Sequence, residues 1–361
     1  MTRGAREFVG PITFEAVTGR RVHTEIFEEG SALEHIRLAR EATAILVAPA
    51  TADFLARAAH GHADDLLTAI LLAATCPVLL APAMNDRMWA HAQTQRNVAL
   101  AREIGYTVLD PEDGPLAVGE GNGPGRLPEP HVVLAHFGRL IEPRTSLRGK
   151  HVVVTAGATR EAIDPVRFLS NHSSGKMGVA IAAAAWRRGA RVTLIAGHLD
   201  VAAPIGVDLV HVESVADMQQ AVRSALAQAD VLVMAAAPAD FHVAETSTRK
   251  IKKGTGALHL DLVSTADILV STMPDRRPGT IVVGFALETD DLVPYAQAKL
   301  RDKQLDLVVA NRAGAPGEGF GADTNRVTLL DKRGEITELP LMSKDDVADH
   351  LLDRIGALVS E

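Results

Sequence analysis

Short apolar runs alternate along this chain with stretches in which apolar positions recur at every third or fourth residue. ATAILVAPAT (42–51) carries such a run and ends in small residues, ADDLLTAILLAAT (63–75) has helical spacing, and CPVLLAPAMN (76–85) is a second run closing in a loop. Short apolar strands interleaved with helices predict a parallel sheet covered on both faces. The alternation resumes with HVVVTAG (151–157), helical GVAIAAAAWRRGA (178–190), RVTLIAG (191–197), helical MQQAVRSALAQA (218–229) and the strand-like VLVM, IVVGFALE and LDLVVAN. A hairpin pattern, RVTLLDKRGEITELP (326–340), and a helix from Lys344 finish the chain. The pattern predicts two doubly wound parallel-sheet α/β domains, 1–144 and 145–361, with TSLRGK (145–150) as the linker. Within the first domain the Gly- and Pro-dense GPLAVGEGNGPGRLPEP (114–130) reads as a long loop or flap, and HVVLAHFGRLIEP as the helix closing the unit.

In such sheets ligands sit beyond the carboxyl ends of the strands, so chemistry is sought in the loops that follow them. The longest is TAGATREAIDPVRFLSNHSSGKMG (155–178), which runs from a strand into a helix. Ser173, Ser174, Gly175 and Lys176 lie at the predicted helix start, where free N–H groups and the helix dipole favour an anion. Serine capping of the helix is the plain alternative for SSG alone, but Arg167, Asn171 and Lys176 crowd the same loop and weigh against it. The loop is not a Walker phosphate loop, because Ser170 and Met177 stand where that pattern needs glycine and a hydroxyl residue.

A second cluster is MAAAPADFHVAETSTRKIKKGTG (234–256). Small residues after a strand admit a planar ring, and Asp240 suits a ribose, a phosphate-bound cation or a base edge. Lys250, Lys252 and Lys253 suit a polyphosphate, or simply a solvated turn.

Composition narrows the classes. The chain has 361 residues, 47% of them apolar, 4% aromatic, with net charge −8. Few aromatics and no long basic block exclude a nucleic-acid surface. The single cysteine, Cys76, excludes an internal disulfide and a cysteine metal cluster, fits a reducing compartment, and reads as a small buried side chain. No apolar signal region opens the chain, and the most apolar stretch, Leu66 to Ala83, is too broken for a membrane span. A cytoplasmic protein without membrane or nucleic-acid partners is expected. No G-x-G-x-x-G opens either domain between strand and helix, which argues against a dehydrogenase.

Taken in order, SNHSSGKMG, AAAPAD, RKIKK and GFALET resemble the ligase half of the bacterial bifunctional phosphopantothenoylcysteine decarboxylase/phosphopantothenate–cysteine ligases of coenzyme A biosynthesis. LEHIRLA, LVAPATADFLARAAHGHADDLL and LLAPAMNDRMW resemble their flavin-dependent decarboxylase half. The resemblance covers nearly the whole chain and implies two Rossmann/flavodoxin-like domains. It implies ligation of 4'-phosphopantothenate to cysteine with CTP and Mg²⁺, through an acyl-cytidylate, followed by FMN-dependent decarboxylation. It also implies ligase dimers and decarboxylase trimers.

By motif match, Asn171 polarises the activated acyl group and Arg167 supports its loop. Ala235, Ala236 and Asp240 bind the nucleotide. Lys250, the loop Ala266, Asp267, Ile268 and Leu269, Phe285, Lys299 and Lys303 face the triphosphate. The two lysines, four apart in PYAQAKLRDK, share a helix face, which also suits a plain surface pair. In the decarboxylase half, His35 matches the catalytic base, although a histidine in LEHIRLA taken alone is more often a helix-surface residue than a catalyst. Asn85 matches the residue gripping the substrate carboxylate, and Thr51 and Asp64 match flavin contacts.

The chain departs from the family pattern twice. The opening strand and Gly-rich turn that help hold the FMN phosphate have no counterpart, so the first domain reads as N-terminally truncated and is expected to hold little flavin. The flap cysteine that protonates the enethiol is replaced by Val118. Two rival readings remain: a ligase alone with a structural N-terminal half, and a non-catalytic flavin- or nucleotide-binding regulator.

Overall fold

A computed structural model describes all residues except 28–32, 254–256, 289–291, 313–320 and 361. The end of GFALET and the whole GTG after the lysine run fall outside the described residues. The chain forms two compact units, Met1–Ile141 and Glu142–Glu361.

In the first unit α1 (Arg3–Arg6), α2 (Pro11–Thr18) and α3 (Glu34–Glu41) lead into β1 (Ile45–Ala50), α4 (Ala52–Ala59), α5 (Leu66–Ala73) and β2 (Val78–Pro82). Then come α6 (Asp86–Ala90), α7 (Ala92–Glu103), β3 (Thr107–Val108), β4 (Glu112–Pro115), β5 (Asn122–Arg126) and α8 (Pro130–Ile141). β1, β2 and β3 pair in parallel in that order. Successive strand residues face opposite sides, so adjacent Leu79 and Leu80 serve two cores. Leu80 packs with Val47, Phe54 and Val98 on one face, and Leu79 with Leu109 and Val133 on the other. The expected flap loop is a hairpin instead: β4 and β5 pair antiparallel, Gly114 opposite Gly123. Glycine and proline hid the strands, because backbone hydrogen bonds and not side-chain alternation hold this register.

The second unit begins with β6 (His151–Ala156), β7 (Arg160–Ala162), β8 (Phe168–Ser170), α9 (Lys176–Arg187), β9 (Arg191–Ala196), β10 (Asp208–His211) and α10 (Val215–Leu226). It continues through β11 (Val231–Met234), β12 (Phe241–Val243), β13 (Leu262–Ser264), α11 (Ile268–Ser271), β14 (Ile281–Glu288), α12 (Leu292–Asp302) and β15 (Leu307–Arg312). It closes with β16 (Thr324–Asn325), β17 (Thr328–Asp331), β18 (Ile336–Glu338), β19 (Met342–Ser343) and α13 (Lys344–Val359). The eight-stranded sheet has the order β10-β9-β6-β11-β14-β15-β17-β18. Its first six strands are parallel, and β17 and β18 add an antiparallel hairpin, so the sheet is mixed and not wholly parallel. Strand β6 is buried along its whole length, as a central parallel strand covered on both faces must be. On one face Val153, Leu232, Val282 and Val308 meet Met218, Val222 and Leu226 of α10.

The residues of the expected linker belong to this unit, with Leu147 fully buried. Glu142 accepts from Arg144 Nε at 2.7 Å and Arg187 Nε at 2.9 Å. The long loop after β6 is also more structured than expected, since β7 and β8 form a small antiparallel pair within it. Among the described residues no helix is long and apolar enough to cross a membrane.

Candidate functional site

In the second unit, a cleft of about 520 Å³ opens beyond the carboxyl ends of β11, β14 and β15. The loop into α9 forms one wall, with Asn171 and the run Ser173–Gly178. Ala235, Ala236 and Asp240 form the floor after β11, and Phe285 and Lys299 the opposite wall. A larger cavity of about 870 Å³ beside the edge strand β10 contains none of the expected residues. Of the expected residues, Asn171, Ala235, Ala236, Asp240, Phe285 and Lys299 gather in the smaller cleft.

Helix α9 starts at a glycine. Its N-cap is Gly175, at φ 75°, and no side chain caps it. Serine capping is thus not the role of SSG, and first-turn N–H groups lack side-chain acceptors. A Cβ on Gly175 would lie 2.2 Å from Leu199 Cδ2, and one on Gly178 would lie 2.6 Å from Ala156 Cβ. Both glycines let the helix start lie against the strand ends.

The side chain of Asn171 donates from Nδ2 to the Pro238 carbonyl at 2.8 Å, joining the loop after β8 to the small-residue loop after β11. Arg167 stands outside the cleft lining. It pairs with Asp164 and donates from Nη2 to the Ile251 carbonyl at 2.8 Å. Asp164, 3% exposed, also accepts the N–H groups of Val166, Arg167 and Ile251, at 2.8, 2.9 and 3.1 Å. The Arg167 guanidinium, against the cost of burial and with these N–H groups, holds its carboxyl well below the usual range. The Asp164–Arg167 pair thereby fastens the RKIKK segment to the loop after β7. Lys250 is exposed and does not line the cleft.

The two lysines of PYAQAKLRDK part company. Lys299 points to the Phe285 carbonyl, with Nζ at 2.5 Å. Lys303, just past the end of α12, pairs with Asp267 at 2.6 Å. Burial works against the Asp267 carboxylate, but hydrogen bonds from Lys303 and the Val270 N–H outweigh it and lower its pKa. Asp267 caps α11, where Ile268 and Leu269 are buried, so the Ala266–Leu269 loop lies outside the cleft lining. Arg276 binds this loop to the α12 end. It donates to the carbonyls of Leu269 at 2.6 Å, Gln304 at 3.0 Å and Lys303 at 3.1 Å.

Sequence reasoning missed Asp164, Arg276, Asn311, Asn325 and Lys344. The last three line the cleft. Lys344 is 7% exposed, and burial and then the charge of Lys176 push its ammonium pKa down. Lys176 itself donates to Gly321 O and Asp323 Oδ1, each at 2.7 Å. Cations at the first residue of two helices oppose the helix dipole, a signal that a reading of either helix alone does not weigh. Among the described residues no three metal-ligating side chains cluster. Among the described residues Asp240 is the one carboxylate lining the cleft, a donor set that suits Mg²⁺ as an ion carried by nucleotide phosphates.

In the first unit Thr51 caps α4, its Oγ1 accepting the Phe54 N–H at 3.2 Å. Asp64 belongs to an ion cluster around Arg57, with Asp53 and Asp65. Asn85 caps α6 and donates from Nδ2 to Glu120 Oε2 at 2.9 Å. His35 lies on α3, and its Nδ1 is buried without a partner among the described residues. Val118, at the hairpin end, is fully exposed. These residues fit a flavin in kind: small residues end β1 and β2, where a planar ring can approach, and His35 brings an unmet ring nitrogen.

A family model described as Flavoprotein matches residues 1–141, and one described as DNA/pantothenate metabolism flavoprotein C-terminal domain matches residues 147–358. The chain is 47% identical over 365 residues to the coenzyme A biosynthesis bifunctional protein CoaBC of Bacillus subtilis, covering 99% of this chain and 89% of the relative. It is 46% identical over 369 residues to the protein of that name from Mycobacterium tuberculosis, covering 98% and 88%. A solved C-terminal domain of CoaBC superposes with a TM-score of 0.52 at 38% identity, over 60% of this chain and 98% of that one. These alignments lend no support to the expected N-terminal truncation.

Proposed function

The chain belongs to the family of coenzyme A biosynthesis bifunctional proteins, CTP-dependent phosphopantothenate–cysteine ligases joined to flavin-dependent phosphopantothenoylcysteine decarboxylases, and from that premise we propose which residues carry each activity. In the ligase unit the carboxylate of 4'-phosphopantothenate bonds to the α-phosphorus of CTP. The α–β phosphoanhydride bond breaks and pyrophosphate leaves. The amine of cysteine then attacks the acyl carbon, forms the amide and expels CMP.

Ala235, Ala236 and Asp240 receive the nucleotide, with Phe285 and Lys299 on the facing wall. Lys250 approaches the triphosphate from the segment fastened by Asp164 and Arg167. Lys303 and the Ala266–Leu269 loop act from behind the wall, through the Lys303–Asp267 pair. Asn171 donates toward the acyl oxygen as negative charge builds there. The observation carrying this reading is the single cleft that gathers Asn171, Ala235, Ala236, Asp240, Phe285 and Lys299. Mg²⁺ enters with CTP and lowers the repulsion between phosphates and attacking carboxylate.

In the first unit His35 serves as base toward the substrate, Asn85 grips its carboxylate, and Thr51 and Asp64 border the cofactor. FMN, when bound, supplies the oxidation that permits loss of carbon dioxide and the matching reduction afterwards. A homo-oligomer of ligase dimers and decarboxylase trimers is the assembly that the family resemblance implies for this chain. A cytoplasmic setting accords with the small-molecule substrates.

The test is incubation of the purified chain with phosphopantothenate, cysteine, Mg²⁺ and equal CTP and ATP, with products identified by mass. CMP, pyrophosphate and phosphopantothenoylcysteine are expected, and AMP in excess of CMP overturns the nucleotide assignment.

A further inference from the structure

Conversion of phosphopantothenoylcysteine to phosphopantetheine and carbon dioxide involves no net oxidation, yet the cofactor removes two electrons from the substrate on the way. The resulting enethiol must regain a hydride and a proton. The hydride is what FMN, when bound, would supply. The proton goes to the carbon that has just lost its carboxylate, and it needs an acid placed where that carboxylate was held. Position 118, which the flap offers for this task, is a valine with no proton to give.

Two residues further along the same hairpin stands Glu120. Its Oε2 accepts a hydrogen bond from Asn85 Nδ2 at 2.9 Å, and the other end of the Asn85 amide is taken by the Arg87 N–H. The hairpin is seated on the Asn85 loop: the Met84 N–H donates to the Gly125 carbonyl at 2.9 Å. A Cβ on Gly125 would lie 2.1 Å from the Met84 carbonyl, so only glycine permits that approach. Of the charged groups near this seat, Asp86 lies beside Gly123, and Arg126 is paired with Glu129.

We propose that Glu120 is the acid that protonates the enethiol in the decarboxylase reaction. The proposal rests on the decarboxylase reading and on Asn85 as the holder of the substrate carboxylate. A substrate carboxylate on Asn85 places two carboxylates on one amide, and like charges so close favour uptake of a proton by one of them. The arriving substrate thus converts Glu120 into the carboxylic acid. After carbon dioxide departs, the Glu120 O–H bond breaks and a C–H bond forms at the vacated carbon. FMN, when bound, would supply the hydride for the carbon bearing sulfur that completes the saturated thiol, and Glu120 is left as a carboxylate.

The test is Glu120→Gln in the flavin-loaded protein, given phosphopantothenoylcysteine. Glutamine keeps an acceptor for Asn85, and the side chain it replaces is exposed, so the fold is retained. The expected result is continued release of carbon dioxide, with the saturated product formed roughly a hundredfold more slowly and an enethiol two hydrogens lighter detected by mass. The double variant Glu120→Gln/Val118→Cys, which returns an acidic proton to the flap, should recover the saturated product. A second readout needs no turnover: titration calorimetry with phosphopantothenoylcysteine in buffers of different ionisation enthalpy should detect proton uptake by the parent chain and none by Glu120→Gln. Saturated product at the parent rate from Glu120→Gln overturns the proposal, as does loss of carbon dioxide release in that variant. A parent chain that releases no carbon dioxide even when loaded with FMN brings down the decarboxylase reading itself, and this proposal with it.

Discussion

The side-chain amide of Asn171 reaches across 67 residues of sequence to the Pro238 carbonyl, at 2.8 Å. That bond fixes the amide at the seam between the α9 loop and the nucleotide floor. An aspartate there has no N–H to donate, and its charge repels both the carbonyl and an acyl oxygen gaining negative charge. Asn171→Asp should therefore still release pyrophosphate but slow the cysteine step about a hundredfold, the usual loss for one such donor. Rapid-quench mass analysis should find acyl-cytidylate accumulating, and loss of pyrophosphate release as the first defect would contradict the assigned role.

Glu142 bears on stability below neutral pH. Burial opposes its charge, but Arg144 and Arg187 overcome this and lower its pKa to about 2. A depressed pKa gives stability that is complete above the unfolded value near ~4.3 and is lost as pH falls through the folded one. Urea unfolding of Glu142→Gln should show reduced stability at pH 7 and a weaker fall between pH 5 and pH 2 than the parent. Parallel curves for the two proteins would refute the pairing.

The carbonyls that Arg276 donates to lie outside the cleft lining, yet through them it ties the Leu269 loop to the end of α12. Its replacement by alanine removes three hydrogen bonds to carbonyls and frees the Lys303–Asp267 pair to drift. KM for CTP should rise roughly tenfold while kcat changes little, an effect consistent with one or two lost hydrogen bonds. Arg276→Lys, which keeps the charge but not the fork, should fall between. An equal fall in kcat with unchanged KM would exclude this role.

Gly178→Ala tests the close seat of α9 on β6. The added carbon meets Ala156 Cβ at 2.6 Å and the Thr155 carbonyl at 2.9 Å, so the helix must move off the strand. Overpacking of this kind typically costs ~1–3 kcal/mol. The melting temperature of the second unit should drop and nucleotide affinity with it, since the same helix start walls the cleft. An unchanged melting temperature would mean that the helix yields more easily than its packing implies.

The sheets were legible because buried parallel strands write themselves as apolar runs, as in HVVVTA and VLVM. The β17–β18 hairpin was legible too, from its alternating residues around LysArgGly. The β4–β5 hairpin was not, since Gly123 and Gly125 carry no side-chain pattern and are chosen for closeness to Asp86 and Met84. Within the cleft, AAAPAD and the α9 start announced themselves by small residues in a loop after a strand. Lys344 did not, because only tertiary packing brings the first residue of the last helix beside Lys176. Asp164 was hidden for a different reason: its partners include backbone groups of Ile251, and a backbone contact leaves no trace in residue identity.

That last feature has a bearing on how the segment around RKIKK can change. Asp164 accepts the Ile251 N–H at 3.1 Å, and Arg167 donates to the Ile251 carbonyl at 2.8 Å, so the latch grips main chain alone. It reads a position and not a letter. The latch itself asks nothing of the half-buried side chain at 251, so the lysines beside it keep their address when that side chain changes. Proline is the exception, having no N–H to offer. A library randomised at this codon should therefore recover residues of many kinds, and a deletion one codon away should do more harm than any of them.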